Sequence, residues 1–163
     1  MRPRALWRER TGFHSCSFTA LFQRREDELT MSDNGIATIP SHHDVKSTID
    51  RLEAAVKAKG LTVFARVDHA AGAAAVGMAL RPTELIIFGN ARGGTPLMQA
   101  QQTIGIDLPL KALAFEDAAG KTWLSYNEPA WLAARHGIAD GGGAVAATLA
   151  GVLKTLAESA TAP

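Results

Sequence analysis

Two alternating segments joined by a short turn constrain this chain more than any other feature. Leu110-Lys111-Ala112-Leu113-Ala114-Phe115-Glu116 reads as a strand, and Thr122 to Asn127 alternates and returns. Asp117-Ala118-Ala119-Gly120 lies between them, with glycine where a hairpin turn calls for a left-handed residue. Antiparallel neighbours follow, so a purely parallel sheet is excluded. Helical patterns elsewhere in the chain then make the class α+β.

The first of these helices is read from Val45, Ile49, Leu52 and Val56, whose spacing places them on one face. Asp44 can cap it, Glu53 precedes Lys57 by one helical turn, and Gly60 is the expected left-handed stop. Ile36 to Pro40 is a short β-prone segment before it. Leu61 to Asp68 alternates like a half-buried strand, and His69 to about Gly77 is a small-residue stretch read as a short helix. Thr83 to Gly89 is apolar on both faces and is expected at the centre of the sheet. Thr95-Pro96 reads as a helix cap and first turn, giving a helix from Pro96 to about Ile104. Another helix is expected from Glu128-Pro129 to Arg135, stopping at Gly137. Gly141-Gly142-Gly143 reads as a flexible joint. Beyond it Val145, Leu149, Val152, Leu153 and Leu156 form an apolar stripe on a final helix, expected to pack on the domain or on a dimer partner.

The first thirty residues differ in kind. They hold six of the seventeen basic residues and four of the sixteen acidic ones, without hydrophobic periodicity. They lack the apolar core of a secretory signal. They read as a disordered or upstream extension, with Met31 as a natural start, followed by a single domain over 31–140 and the joint and helix over 141–163. That leaves eleven basic against twelve acidic residues in the globular part. No basic patch of nucleic-acid type remains there. No apolar run reaches the ~20 residues that a membrane-spanning helix needs. Cys16, the one cysteine, lies in the leader, so the globular part has no disulfide, cysteine nucleophile or cysteine metal site. The expected setting is the cytoplasm, with neither membrane nor nucleic acid as partner.

Several motifs, in order, resemble a known family. Asp68-His69-Ala70, Phe88-Gly89-Asn90, Gly94-Thr95-Pro96-Leu97-Met98, Leu108-Pro109-Leu110-Lys111 and Glu116-Asp117 before the turn glycine are similar to the bacterial and archaeal family catalogued as domain of unknown function 302. The resemblance covers about Thr48 to Gly137. It departs at Ala91, where the family usually has proline, so this loop is less rigid, and Arg92 makes it more basic. The resemblance implies a curved, mainly antiparallel sheet with helices packed on one face, similar to the TATA-binding-protein-like arrangement. It also implies a homodimer. It implies no activity, and a shared fold is not a shared function.

The candidate site is the corner where the strand ending at Gly89 meets the next helix. Amides of Leu97 and Met98, freed at a helix start, would face an anion there. Asn90, Arg92, Gly93, Gly94, Thr95 and Lys111 are the candidate ligand-binding residues, and His69 the candidate acid/base. No Gly-Lys-Ser/Thr follows, so this is not a P-loop. The bland alternative is that Gly93 and Gly94 only turn the chain, and that His69 fixes a corner by bonding backbone. Lys111 equally reads as a stem-buried surface lysine or a partner of Glu116. His42-His43 would point to opposite faces of a strand, so no metal site and no cofactor is expected. Trp123, Tyr126 and Trp131 read as core or interface aromatics. Three functions fit these residues. The first is a homodimer binding a small anionic or polar ligand or a protein partner. The others are an enzyme acting on a small anionic substrate through His69, and a structural or assembly module.

Overall fold

The computed structural model describes residues 30–31 and 34–163, so the expectations for the leader, Cys16 included, lie outside the described residues. Among the described residues, six strands form one sheet: β1 (Thr30–Met31), β2 (Ile36–Pro40), β3 (Thr62–Asp68), β4 (Thr83–Gly89), β5 (Leu110–Glu116) and β6 (Thr122–Asn127). Their spatial order is β1-β2-β6-β5-β4-β3, and every neighbouring pair is antiparallel. The β5–β6 hairpin is as expected. Asp117 sets its turn, accepting from the amides of Ala119 at 2.8 Å and Lys121 at 3.0 Å and from Trp123 Nε1 at 2.7 Å. Asp117 therefore shapes the turn, and Trp123 is tied to it.

Two long helices pack on one face of the sheet. The first, α1 (Val45–Ala58), is capped by Asp44, whose side chain accepts from the Ser47 amide at 2.7 Å. It ends at Lys59, and Gly60 follows at φ +70°, the left-handed stop. Its stripe of Val45, Ile49, Leu52 and Val56 is buried against Ala37, Ile39, Ile86, Phe88, Ala112 and Leu124 of the sheet. Arg66 of β3 fastens α1 to the sheet edge, with bonds to Asp50 and Glu53 at 2.7 and 2.8 Å and to Glu84 of β4 at 2.6 Å.

The last helix, α5 (Gly143–Thr161 in the chain, numbered after three shorter ones), lies beside α1. Leu153, Leu156, Ala157 and Ala160 join the main core. Arg51 of α1 caps its C-terminal end, donating to the carbonyls of Ser159, Ala160 and Ala162 at 3.1–3.2 Å. His43 Nε2 bonds the Ala162 carbonyl at 2.7 Å. That histidine thus serves the chain end, and α5 docks on its own domain.

Three short helices complete the layer: α2 (His69–Ala75), α3 (Ala91–Ala100) and α4 (Pro129–Arg135), with 3₁₀ turns η1 (Gln102–Ile106) and η2 (Ala139–Gly142). The glycine joint is not loose linker. Gly142 sits at φ +79°, and a Cβ there would meet Ala133, Leu97 and Ala146 at 3.0–3.2 Å, so the glycine permits close packing at the bend into α5. Leu97, Ile104 and Leu132 form a small second core here.

Candidate functional site

The main departure from the sequence reading is at the candidate site itself. Helix α3 starts at Ala91, four residues before Thr95, because Asn90 is the cap. Asn90 Oδ1 accepts from the Gly93 amide at 2.8 Å, and the Asn90 carbonyl accepts from Gly94 at 3.2 Å. The amides of Leu97 and Met98 therefore lie inside the helix and are not free for an anion. Those left without an intrahelical acceptor belong to Ala91 and Arg92, in the first turn. Pro96 falls inside α3, where it removes one backbone bond. Thr95 is exposed on the mid-helix and caps nothing.

A cavity of about 500 Å³ opens at this corner. One wall is the start of α3, from Asn90 to Gly94, with Met98 a turn later. A second is the stretch leaving η1, with Gly105, Leu108 and Pro109. Phe64 of the edge strand and Leu61 just before that strand close it, with Leu149 and Val152 from α5. The lining is thus mostly apolar. Its polar side chains are Asn90, Arg92 and Thr148, and the Thr148 hydroxyl is already bonded to the Ala144 carbonyl at 2.8 Å. Arg92 is exposed and, among the described residues, forms no ion pair.

Glycine is costly in this helix without being needed by its backbone. Neither Gly93 nor Gly94 has positive φ. A helical glycine costs ~1 kcal/mol relative to alanine. At Gly93 packing supplies a reason, since a Cβ would lie 3.1 Å from Leu149. At Gly94 a Cβ would find ordinary contacts, 3.5 Å to Leu108 and 3.7 Å to Met98, both lining the cavity. Its absence leaves the cavity wider.

Of the residues expected to bind, Asn90, Arg92, Gly93 and Gly94 do line this cavity, and Thr95 and Lys111 do not. Lys111 points from β5 back to the carbonyls of Asp107 and Pro109, at 2.7 and 3.1 Å, and burial lowers its pKa from the ordinary lysine value. Among the described residues it forms no ion pair with Glu116. His69 is the exposed first residue of α2, at the far end of the β3–β4 ladder from the cavity. Thr62 pairs with Gly89 at the cavity end, whereas Asp68 pairs with Glu84. Six residues of strand put His69 about 20 Å away. The sequence reading missed the apolar walls. Val63-Phe64, two large apolar residues in succession, was the available signal, and a register irregularity between Val63 and Ala65 leaves Phe64 exposed at the cavity.

The family described as "Domain of unknown function DUF302" matches residues 37–156. The chain belongs to that family. Its fold is also that of a solved structure from Bacillus stearothermophilus, an uncharacterised conserved DUF302 protein. The TM-score is 0.70 at 18% identity, over 77% of this chain and 98% of that one. The chain is 57% identical over 118 residues to proteins named fluoride-specific ion channel FluC 1 from Brucella suis and FluC 2 from Brucella melitensis. The match covers 72% of this chain, and the chain spans under half of their length, 46% and 44%. Among the described residues of the DUF302 chain, no helix is long and apolar enough to cross a membrane.

Proposed function

We propose that this DUF302 domain binds a small amphipathic anion, its apolar body in the cavity and its charged head at the Asn90–Gly94 rim. The observation that carries this is the cavity's division. Leu61, Phe64, Leu108, Leu149 and Val152 supply apolar walls, while Arg92 and the open amides of the first α3 turn lie together at one side. Apolar clefts of 300–1,000 Å³ with a few convergent polar groups are typical small-molecule sites. Gly94 supports the same reading, because its helix cost is offset by nothing in backbone or packing except space. The reading makes no use of His69 as an acid/base.

Calorimetric titration with octanoate, octyl phosphate and octanol tests it. Binding of the two anions, weakened by Arg92→Ala, is the expected result. Equal binding of octanol would remove the anionic half of the reading, and no binding of any of the three would remove the whole.

Two associations extend the proposal. A homodimer would cover the sheet face turned away from α1 and α5, where Leu85, Ile87, Leu113, Phe115 and Trp123 alternate with the core-facing set and are half-buried. Light scattering on wild type and Phe115→Glu checks it: a dimer that dissociates supports it, and a wild-type monomer rejects it. A second reading, favoured by the channel-named relatives, is an accessory role beside a fluoride channel. More than half of each such relative lies outside the match, so conduction would belong to that part. Fluoride efflux from vesicles holding such a channel, with and without this chain, would differ if the reading holds and be identical if it fails.

A further inference from the structure

We propose that Thr103, His136 and Asp107 form a base-activated hydroxyl that accepts an acyl group from a small activated ester or thioester. This activity goes beyond ligand binding and does not rest on it. Two separate pieces of chain converge: Thr103 in η1 with Asp107 directly after it, and His136 at the end of α4. Thr103 Oγ1 lies 3.1 Å from His136 Nδ1, and His136 Nε2 lies 2.6 Å from Asp107 Oδ2. With the carboxylate ionised, Nε2 holds the proton it donates to Asp107. Nδ1 is then the lone pair that accepts from the Thr103 hydroxyl. Nucleophile, base and orienting carboxylate are recognised by such roles rather than by their order in the chain.

The surroundings suit the roles. The His136 side chain is 10% exposed and that of Asp107 16%, so the pair is held, whereas Thr103 is open to solvent. Arg135 donates to Asp107 Oδ1 at 3.2 Å, and Lys111 Nζ to the Asp107 carbonyl at 2.7 Å. Both are positioning residues. Proton transfer from Thr103 to Nδ1 breaks no bond of the chain, since Nε2–H still faces Asp107. On a 3₁₀ helix, residues three apart eclipse, which puts Ile106 on the same side as Thr103. Ile106 is 79% exposed and offers an apolar contact for the acyl group.

In the step, Thr103 Oγ bonds to the carbonyl carbon and its proton goes to Nδ1. The bond to the alcohol or thiol leaving group breaks, and that group takes the proton. Water, deprotonated by the same nitrogen, then releases the carboxylic acid and restores the hydroxyl.

The probe is p-nitrophenyl acetate on the full chain, read as released nitrophenolate and as acetyl mapped by mass spectrometry. Acetyl on Thr103 is expected in wild type and in Thr103→Ser. Thr103→Val, a near-isosteric change at an exposed position, should lose it. His136→Gln should slow acylation about a hundredfold, the scale of general-base assistance, and abolish its pH dependence. No acetyl on Thr103 of wild type, or an unchanged rate in His136→Gln, overturns the proposal. So does nitrophenolate release that is as fast in Thr103→Val.

Discussion

The two ends of the helical layer are built on opposite terms. Where α1 and α5 lie on the sheet, Ile49, Leu52, Val56, Ile86, Phe88, Leu124, Leu153 and Leu156 are wholly buried, and local preferences agree with the outcome. Asp44 caps, Gly60 stops, and the apolar spacing fits a helix. Where α3, η1 and α4 meet, three buried side chains form the core and a cavity opens beside them. There α3 carries two glycines and an internal proline in ten residues, a sequence that disfavours helix. Places where local rules fail in an otherwise consistent sequence are expected to be functional. The contrast separates a close-packed end from one where a small core leaves open space beside it.

Mutation can break the contrast. The largest loss is expected from Phe88→Ala in the packed end, about 4 kcal/mol by chemical denaturation. Leu97→Ala, in the small core, should cost less, about 2–3 kcal/mol, because the neighbouring cavity already leaves fewer contacts to lose. If the two losses proved equal, the distinction between the ends would not hold. Arg51→Ala should cost about 1–2 kcal/mol by removing the three bonds on the α5 terminus, with fraying of α5 visible by hydrogen exchange.

Acid sharpens the comparison. The carboxyls of Asp44, Asp50 and Glu53, all on or capping α1, are held below their ordinary values. The Ser47 backbone amide does this at Asp44, Lys46 and then Arg66 at Asp50, and Lys57 and then Arg66 at Glu53. A lowered folded-state pKa stabilises above the unfolded value, and that contribution is lost as pH falls through the folded one. The window therefore opens near pH 4.5–3.8 and extends below it. Glu128, at the start of α4, runs the other way, because burial raises its pKa. Its ionised form costs the fold stability, so Glu128→Gln should stabilise slightly at neutral pH. Exchange followed from pH 6 downward should show α1 loosening before α4, and the reverse order would contradict the assignment.

Much of the packed end was legible in the sequence. Thr83 to Gly89 matches β4 to the residue, since Arg81-Pro82 and Gly89-Asn90 bound its apolar run. The α1 stripe and the β5–β6 hairpin were equally clear. The candidate site was legible only in part. Thr95-Pro96 and Asn90 are both good start signals, and periodicity cannot rank them. Asn90 prevails in space because its side chain reaches the Gly93 amide, while Leu97, seven residues on, is buried in the small core. The Thr103–His136–Asp107 chain was out of reach, because it joins residues 33 and 29 positions apart. The division of the final stripe was also hidden: Leu153 and Leu156 enter the main core, whereas Leu149 and Val152 line the cavity.

The central claim is that Gly94 keeps the cavity open for a ligand at the expense of its helix. Gly94→Ala should therefore raise stability by about 1 kcal/mol, the helix-propensity difference. In the same protein, calorimetry should show octyl phosphate binding about tenfold weaker, as expected for one methyl group crowding a fitted site. Higher stability with undiminished binding would mean that the glycine does not serve the cavity, and the account would fail at its centre.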